Sequence, residues 1–250
     1  MSSQVLNVAR VFVVLWAALP AAATHIVKAG GGTLAQIAAN GPWVTSITLV
    51  NMSSTAQPYT LHFVGDDGQP MTLTTTAGSG SALSGTLNSG ASTIIETNGP
   101  SDAPVQQGWA WVECAQTALF GGAAVFRLSL PDSPVYEASL PLDTGYHFRF
   151  ALPFDHVDAN TGFALANSFS TSPINVTMAF YDESGQLFFT GTFNMAGLTH
   201  QSFMLPDKFP EVAGKKGLVL VSADYYMNVL GLRARGGGFT TITPLVLDGW

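Results

Sequence analysis

Charge is scarce in this sequence. Asp, Glu, Lys and Arg together make up 10% of its 250 residues, against about 25% in a typical soluble domain. Only 9 side chains are basic and the formal net charge is −7. The positive field that grips phosphate backbones is therefore missing, and nucleic acid is excluded as an expected partner. The basic doublet Lys215-Lys216 is too small for a polybasic membrane patch. Cysteine is nearly absent too. Cys114 alone can close no internal disulfide, and no Cys/His cluster offers a structural zinc site, so no cofactor is expected. In the strand-like run Trp109 to Cys114 the thiol reads as a small buried hydrophobe. Beyond the N-terminus no apolar run reaches the roughly 20 residues of a membrane helix, so no stable membrane anchor is expected after removal of a leader.

What is present points to strands. The 16 Phe, 5 Trp and 6 Tyr rule out a disordered chain, which is poor in aromatics. Between short apolar runs lie Gly, Ser, Thr and Asn, the texture of an all-β protein. The first residues read differently. Arg10 precedes the apolar stretch Val11 to Leu19, Pro20 breaks it, and Ala21-Ala22-Ala23 offers the small residues an export peptidase reads. We expect a signal peptide over 1–23 and a Gly-rich tether over 24–33, so that the mature chain is exported to the cell surface, the medium or the periplasm.

The chain resembles itself. Leu34-Ala35 and Leu49-Val50-Asn51 recur as Phe150-Ala151 and Leu165-Ala166-Asn167. Thr60-Leu61-His62-Phe63 recurs as Thr177-Met178-Ala179-Phe180, and Gly68-Gln69 as Gly185-Gln186. Further on, Thr86-Leu87-Asn88 answers to Thr192-Phe193-Asn194, Gly108 to Val112 to Gly217 to Val221, and Phe126-Arg127 to Leu232-Arg233. The order is kept throughout, and the spacing shortens only in Gly/Ser/Pro-rich stretches, as loop deletions would produce. We expect two repeats, over 34–143 and 144–250, that abut without a rigid spacer.

Within the first repeat, strand signals fall at Val44 to Val50, Tyr59 to Val64, Ser92 to Glu96, Trp109 to Cys114, Ala123 to Leu128 and Tyr136 to Leu140. Gly65-Asp66-Asp67-Gly68 predicts a tight hairpin, matched by Asp182-Glu183-Ser184-Gly185. The stretch Thr72 to Gly90 reads as a long loop, and a turn or two of helix is expected around Pro206 to Val212. About seven short strands per repeat predict tandem antiparallel β-sandwiches of immunoglobulin type. With these elements in hand, the chain resembles a loose group of exported bacterial proteins built from paired sandwich repeats. The segments that carry the likeness are "WVTSITLVNMSST" (Trp43 to Thr55), "GDDGQP" (Gly65 to Pro70), "TGFALANSFST" (Thr161 to Thr171) and "LGLRARGGGFTTITPL" (Leu230 to Leu245). These motifs are structural: the resemblance implies export and fold, and it transfers no active residue.

Chemistry-bearing patterns are few. There is no Gly-x-Ser-x-Gly elbow, no His-Glu-x-x-His and no phosphate loop, and the five histidines lack ligand spacing. Asp66-Asp67 and Asp182-Glu183 occupy matching turns, where Asp serves its own backbone. Asp155, Asp158 and Asn160 could offer oxygens to Ca²⁺, although a solvated loop is the favoured reading. Trp109 and Trp111 project from one strand face and could stack sugar rings, or could pack in the core or between repeats. Trp43, beside Gly41-Pro42, is the better candidate for an exposed ligand-binding aromatic. We expect a non-catalytic exported interaction protein with an unknown protein or glycan partner. The alternative is a carbohydrate- or calcium-dependent ligand-binding module.

Overall fold

The computed structural model describes residues 30–169 and 171–248; the expected signal peptide and most of the expected tether lie outside them. The chain is all-β, and every strand pairing is antiparallel. In the N-terminal half, β1 (Thr33–Ala39), β8 (Gln106–Cys114), β3 (Gln57–Gly65) and β6 (Ala82–Leu87) form one sheet in that order. A second sheet has the order β10 (Tyr136–Pro141), β9 (Phe120–Leu128), β2 (Trp43–Asn51) and β7 (Ser92–Glu96). In the C-terminal half the order is β14 (Leu187–Met195), β13 (Ile174–Asp182), β16 (Lys216–Ala223), β11 (Arg149–Asp155) and β19 (Leu245–Val246). Its facing sheet runs β15 (His200–Met204), β12 (Asn160–Ala166), β17 (Asn228–Arg235) and β18 (Gly238–Ile242). Taking β11, β12 and β13 for β1, β2 and β3, and β14 to β18 for β6 to β10, both sheets of the second half repeat the strand order of the first. β19 is the one addition.

Alternation builds each core. On β3, Tyr59, Leu61 and Phe63 point inward while Thr60 and His62 face out; on β13, Val176, Met178 and Phe180 do the same. The first core gathers Leu34, Ile47, Leu61, Phe63, Val112 and Phe126. The second gathers Phe150, Phe163, Val176, Phe180 and Val221. Each such side chain contributes about 1.5–3 kcal/mol on burial.

Turns and loop ends are closed by side chains. Gly68 and Gly185 adopt φ of +78° and +81°, which the two Asp-containing hairpins require and a Cβ would oppose. Asp67 Oδ1 accepts the Gln69 N–H at 2.9 Å, and Asp182 Oδ1 accepts those of Ser184 and Gln186. Asn51 is fully buried and its amide nitrogen donates to the carbonyls of Thr55, Leu87 and Asn88. Asn167, also fully buried, donates in the same manner to Ser172 and Ala196. The short helix α1 (Leu205–Lys208) and the single turn Pro210–Val212 fall where two prolines allow a helix only to start.

Two expectations need correction. Thr72 to Gly90 is not a loop: it carries the hairpin β4 (Leu73–Thr75) and β5 (Gly78–Gly80), then the edge strand β6. Gly and Ser hide the pattern, although Leu83 and Leu87 are buried and β6 pairs with β3. The end of the supposed tether is likewise part of the fold. Gly31 and Gly32 are buried, a Cβ on Gly31 would lie 1.7 Å from the Val112 carbonyl oxygen, and Val112 N–H donates to Gly32 O. These glycines serve close backbone approach. Cys114 donates to Gly30 O at 2.6 Å, and burial pushes its thiol pKa up, which keeps it an inert thiol.

The halves meet face to face. Val64 and Trp109 alternate with inward residues, so they lie on the outer face of the first sheet, where they pack against Ala166 of β12. Trp109 is 0% exposed and its indole N–H donates to Leu198 O at 2.7 Å. Small side chains at Gly162, Ala164 and Ala166 line the opposing face of β12, and Ala164 and Leu230 join the first half's core. His200, its side chain 0% exposed, sets Nδ1 2.7 Å from Asp66 Oδ1, while its backbone N–H donates to Asp66 O. Asp66 thus bridges the halves as well as shaping its turn. Asn228 donates to Asp143 and Thr241 to Ser139 O across the same seam.

Trp109→Ala is expected to cost about 3–5 kcal/mol, read as a lower urea midpoint. Asn51→Ala and Asn167→Ala leave buried carbonyls unpaired; each should cost about 1–3 kcal/mol in the same assay.

Candidate functional site

Two clefts flank the seam. The first, about 390 Å³, opens between β1 and β2 of one half and β12, β15 and β17 of the other. Its floor is small and apolar because Ala38, Gly162 and Ala164 face one another there. Trp43 and Phe239 line the cleft with ring centroids 5.5 Å apart, tilted by 54°, whereas the Phe203 ring packs against the second core beside Phe193 and Phe209. Lys208 fixes Phe203 from behind. Its ammonium lies 4.6 Å from that ring and 3.7 Å from the Phe193 ring and donates to Gln201 Oε1 at 2.5 Å. Burial lowers its pKa.

Four polar side chains edge this cleft: Gln36, Gln107, Ser202 and Asp207. Ser202 donates to Gln107 Oε1 at 3.2 Å, and Gln107 Nε2 donates to Asp66 Oδ2 at 2.9 Å. Gln36 Nε2 donates to Ile37 O at 3.1 Å, whereas Gln36 Oε1 is buried without a hydrogen-bond partner among the described residues. An unpaired buried acceptor costs free energy unless a donor reaches it. A cavity that is mostly apolar, with a few fixed polar groups, is the usual form of a small-ligand site.

The second cleft, about 350 Å³, lies between Leu140 to Gly145 and the strands β11 and β17. At its polar end His147 stands between two carboxylates, with Nδ1 2.7 Å from Asp248 Oδ2 and Nε2 3.6 Å from Asp143 Oδ1. Asp248 also accepts the backbone N–H groups of Phe148 and Arg149. Ser168 donates to Asn228 Oδ1 at 2.5 Å. The serine proton is directed at an amide oxygen and the imidazole is held by acids, so this network ties the linker to the C-terminal segment instead of activating a nucleophile.

The structure separates the residues singled out in the sequence. Trp43 lines the first cleft and is half-buried. Trp109 is sealed in the seam and has no free face for a ligand, so packing between the halves replaces the sugar-stacking expectation. Trp111 is half-buried and stacked on the His62 ring at 4.0 Å and 8°, a face already covered. In the loop singled out for calcium, the Asp155 carboxylate is already engaged. Asp155 turns its carboxylate inward: Oδ1 accepts the N–H groups of Val157 and Asp158, and Oδ2 is 3.0 Å from Arg233 Nη2. Asp158 and Asn160 are exposed, and no group of three acidic, His or Cys residues suited to a metal occurs among the described residues.

Sequence reasoning missed Gln36, Gln107, Ser202 and Phe239. They come from both halves and share no motif, and only Phe239, adjoining a Gly run, carried a local turn signal. No protein-family model matches the chain, and no curated protein or solved structure matches it either.

The Asp158 N–H, with that of Val157 and the Arg233 guanidinium, holds the Asp155 pKa at about 2, below its ordinary 3.8, against an opposing desolvation effect. A depressed carboxyl pKa stabilises the fold above the unfolded value, and that contribution is lost as pH falls through the folded one. Asp155→Asn should therefore melt at a lower temperature than wild type at pH 7, with the gap closing between about pH 4 and pH 2. Added calcium should leave the wild-type melting temperature unchanged.

Proposed function

We propose that the protein is an exported, non-catalytic binding protein: a duplicated immunoglobulin-like sandwich that holds its ligand in the first cleft, between the two copies. Export is supported by Arg10, the apolar stretch Val11 to Leu19 and Ala21-Ala22-Ala23. Duplication is supported by the collinear sequence matches, by the repeated strand order and by the parallel duties of Asn51 and Asn167. The resemblance to exported bacterial paired-sandwich proteins agrees with both.

The observation that carries the reading is the convergence, in one cleft, of the Trp43 face with the amides and carboxylate of Gln36, Gln107 and Asp207. That combination suits a sugar. A pyranose ring offers an apolar C–H face to an aromatic ring and hydroxyl groups to flanking amides and carboxylates. The ligand class is therefore a glycan, bound at a seam that both halves build.

The test is a glycan array followed by titration calorimetry of the hits. Trp43→Ala should weaken binding about tenfold, equivalent to about 1.4 kcal/mol, and Gln36→Leu should weaken it while leaving the fold intact. An array without a hit would remove the glycan reading.

A further inference from the structure

The seam uses one outer sheet face from each half. In the N-terminal half it is the face of β3 and β8, through the cross-strand pair Val64 and Trp109. In the C-terminal half it is the face of β12, β15 and β17, through the rows His200–Ala166–Asn228 and Ser202–Ala164–Leu230. Because both halves have the same strand order, each of these faces has a counterpart in the other half, and neither counterpart is covered by another sheet among the described residues.

The counterpart of the Trp109 face is apolar and open. Val64 and Trp109 pair next to Gly65 and Gly108; in the same place Tyr181 pairs with Leu218, next to Asp182 and Gly217. Extended across the sheet, this row reads Leu187–Tyr181–Leu218–Pro153. The next row on the same face reads Thr190–Ala179–Leu220–Ala151–Leu245. Neither row contains a charged side chain. Leu187, Leu218 and Leu245 are 50%, 40% and 65% exposed, and β19 lies in the plane of the sheet, so it widens this face without covering it. A contiguous exposed apolar strip on a charge-poor sheet marks an interaction surface.

The counterpart of the Ala164 face is also open, and it carries larger, β-branched side chains. Thr48 pairs with Ile94 on one side and Ala123 on the other, as Ala164 pairs with Ser202 and Leu230. Ile94 is 64% exposed. One chain thus carries two kinds of face, each used once and each left free once.

We infer that the chain associates head to tail with further copies of itself: the Tyr181–Leu218 face of one molecule receives the Thr48–Ala123–Ile94 face of the next, as the Val64–Trp109 face receives Ala166 within the chain. The contact is heterologous, so it builds rings or linear oligomers instead of a two-fold dimer. The association depends on protein concentration by mass action. It involves neither cleft and stands apart from the glycan reading.

The test is sedimentation velocity of the purified protein over a wide concentration range, with Leu218→Glu and Ile94→Glu as variants. Wild type is expected to grow in mean mass beyond two chains, and each variant alone to remain a monomer. An equimolar mixture of the two should form a dimer, because each supplies the face the other lacks, and should grow no further. Circular dichroism and melting temperature establish that the variants fold; if either does not, Leu187→Glu and Thr48→Lys replace them on the same two faces. Wild type that stays monomeric throughout overturns the inference. So does Ile94→Glu associating like wild type while Leu218→Glu does not, since that pattern belongs to a two-fold contact through the Leu218 face alone.

Discussion

Burial of Trp109 between two β-sheets that belong to different halves of the chain is the contact on which the rest of the molecule depends. The indole is fully buried against Val64 and Ala166, and its N–H is satisfied by Leu198 O. An aromatic of this size can be enclosed so completely only because the facing strand presents Gly162, Ala164 and Ala166, which let the sheets approach. Once the sheets are fixed by this contact, the polar bonds at the rim follow: His200 to Asp66, Asn228 to Asp143 and Thr241 to Ser139. Both clefts are by-products of the same geometry, since two twisted sheets packed face to face part company at their edges.

This arrangement makes the halves unequal although their strand order is the same. Position for position, Trp109 corresponds to Leu218 and Ala164 to Thr48, yet the first member of each pair is buried in the seam and the second faces outward. The side chains of the two faces differ accordingly, with small apolar residues where β12 meets its neighbour and Ser46, Thr48 and Val50 on the corresponding face of β2. Asn51 and Asn167 are alike in both halves, because each answers to local loop carbonyls and not to the seam.

Much of the fold was legible in the chain. Alternating apolar runs placed β2, β3, β7, β8, β9 and β10 within a residue or three of their ends, and the Asp/Gly turns marked both hairpins. Where the reading failed, glycine was the cause. In Gly78-Ser79-Gly80-Ser81 and again in Gly30-Gly31-Gly32 its composition suggests looseness, whereas in the fold it permits a strand pairing and a close backbone contact. A glycine run has the same composition in a linker and in a tight packing site, and only the neighbouring backbone tells them apart.

The candidate site was far less legible, for a reason that is physical. Trp43 could be proposed from its turn, but Gln36, Gln107, Ser202 and Phe239 become neighbours only when two sheets dock. The same holds for the fate of the other residues considered: Trp109 went to the seam, Trp111 to a stack with His62, and Asp155 to its own loop and Arg233. Period-two patterning and turn chemistry act over a few residues, so the sequence alone determines strands and hairpins. Which outer faces meet is decided by shape complementarity between surfaces distant in the chain, and that belongs to the tertiary structure.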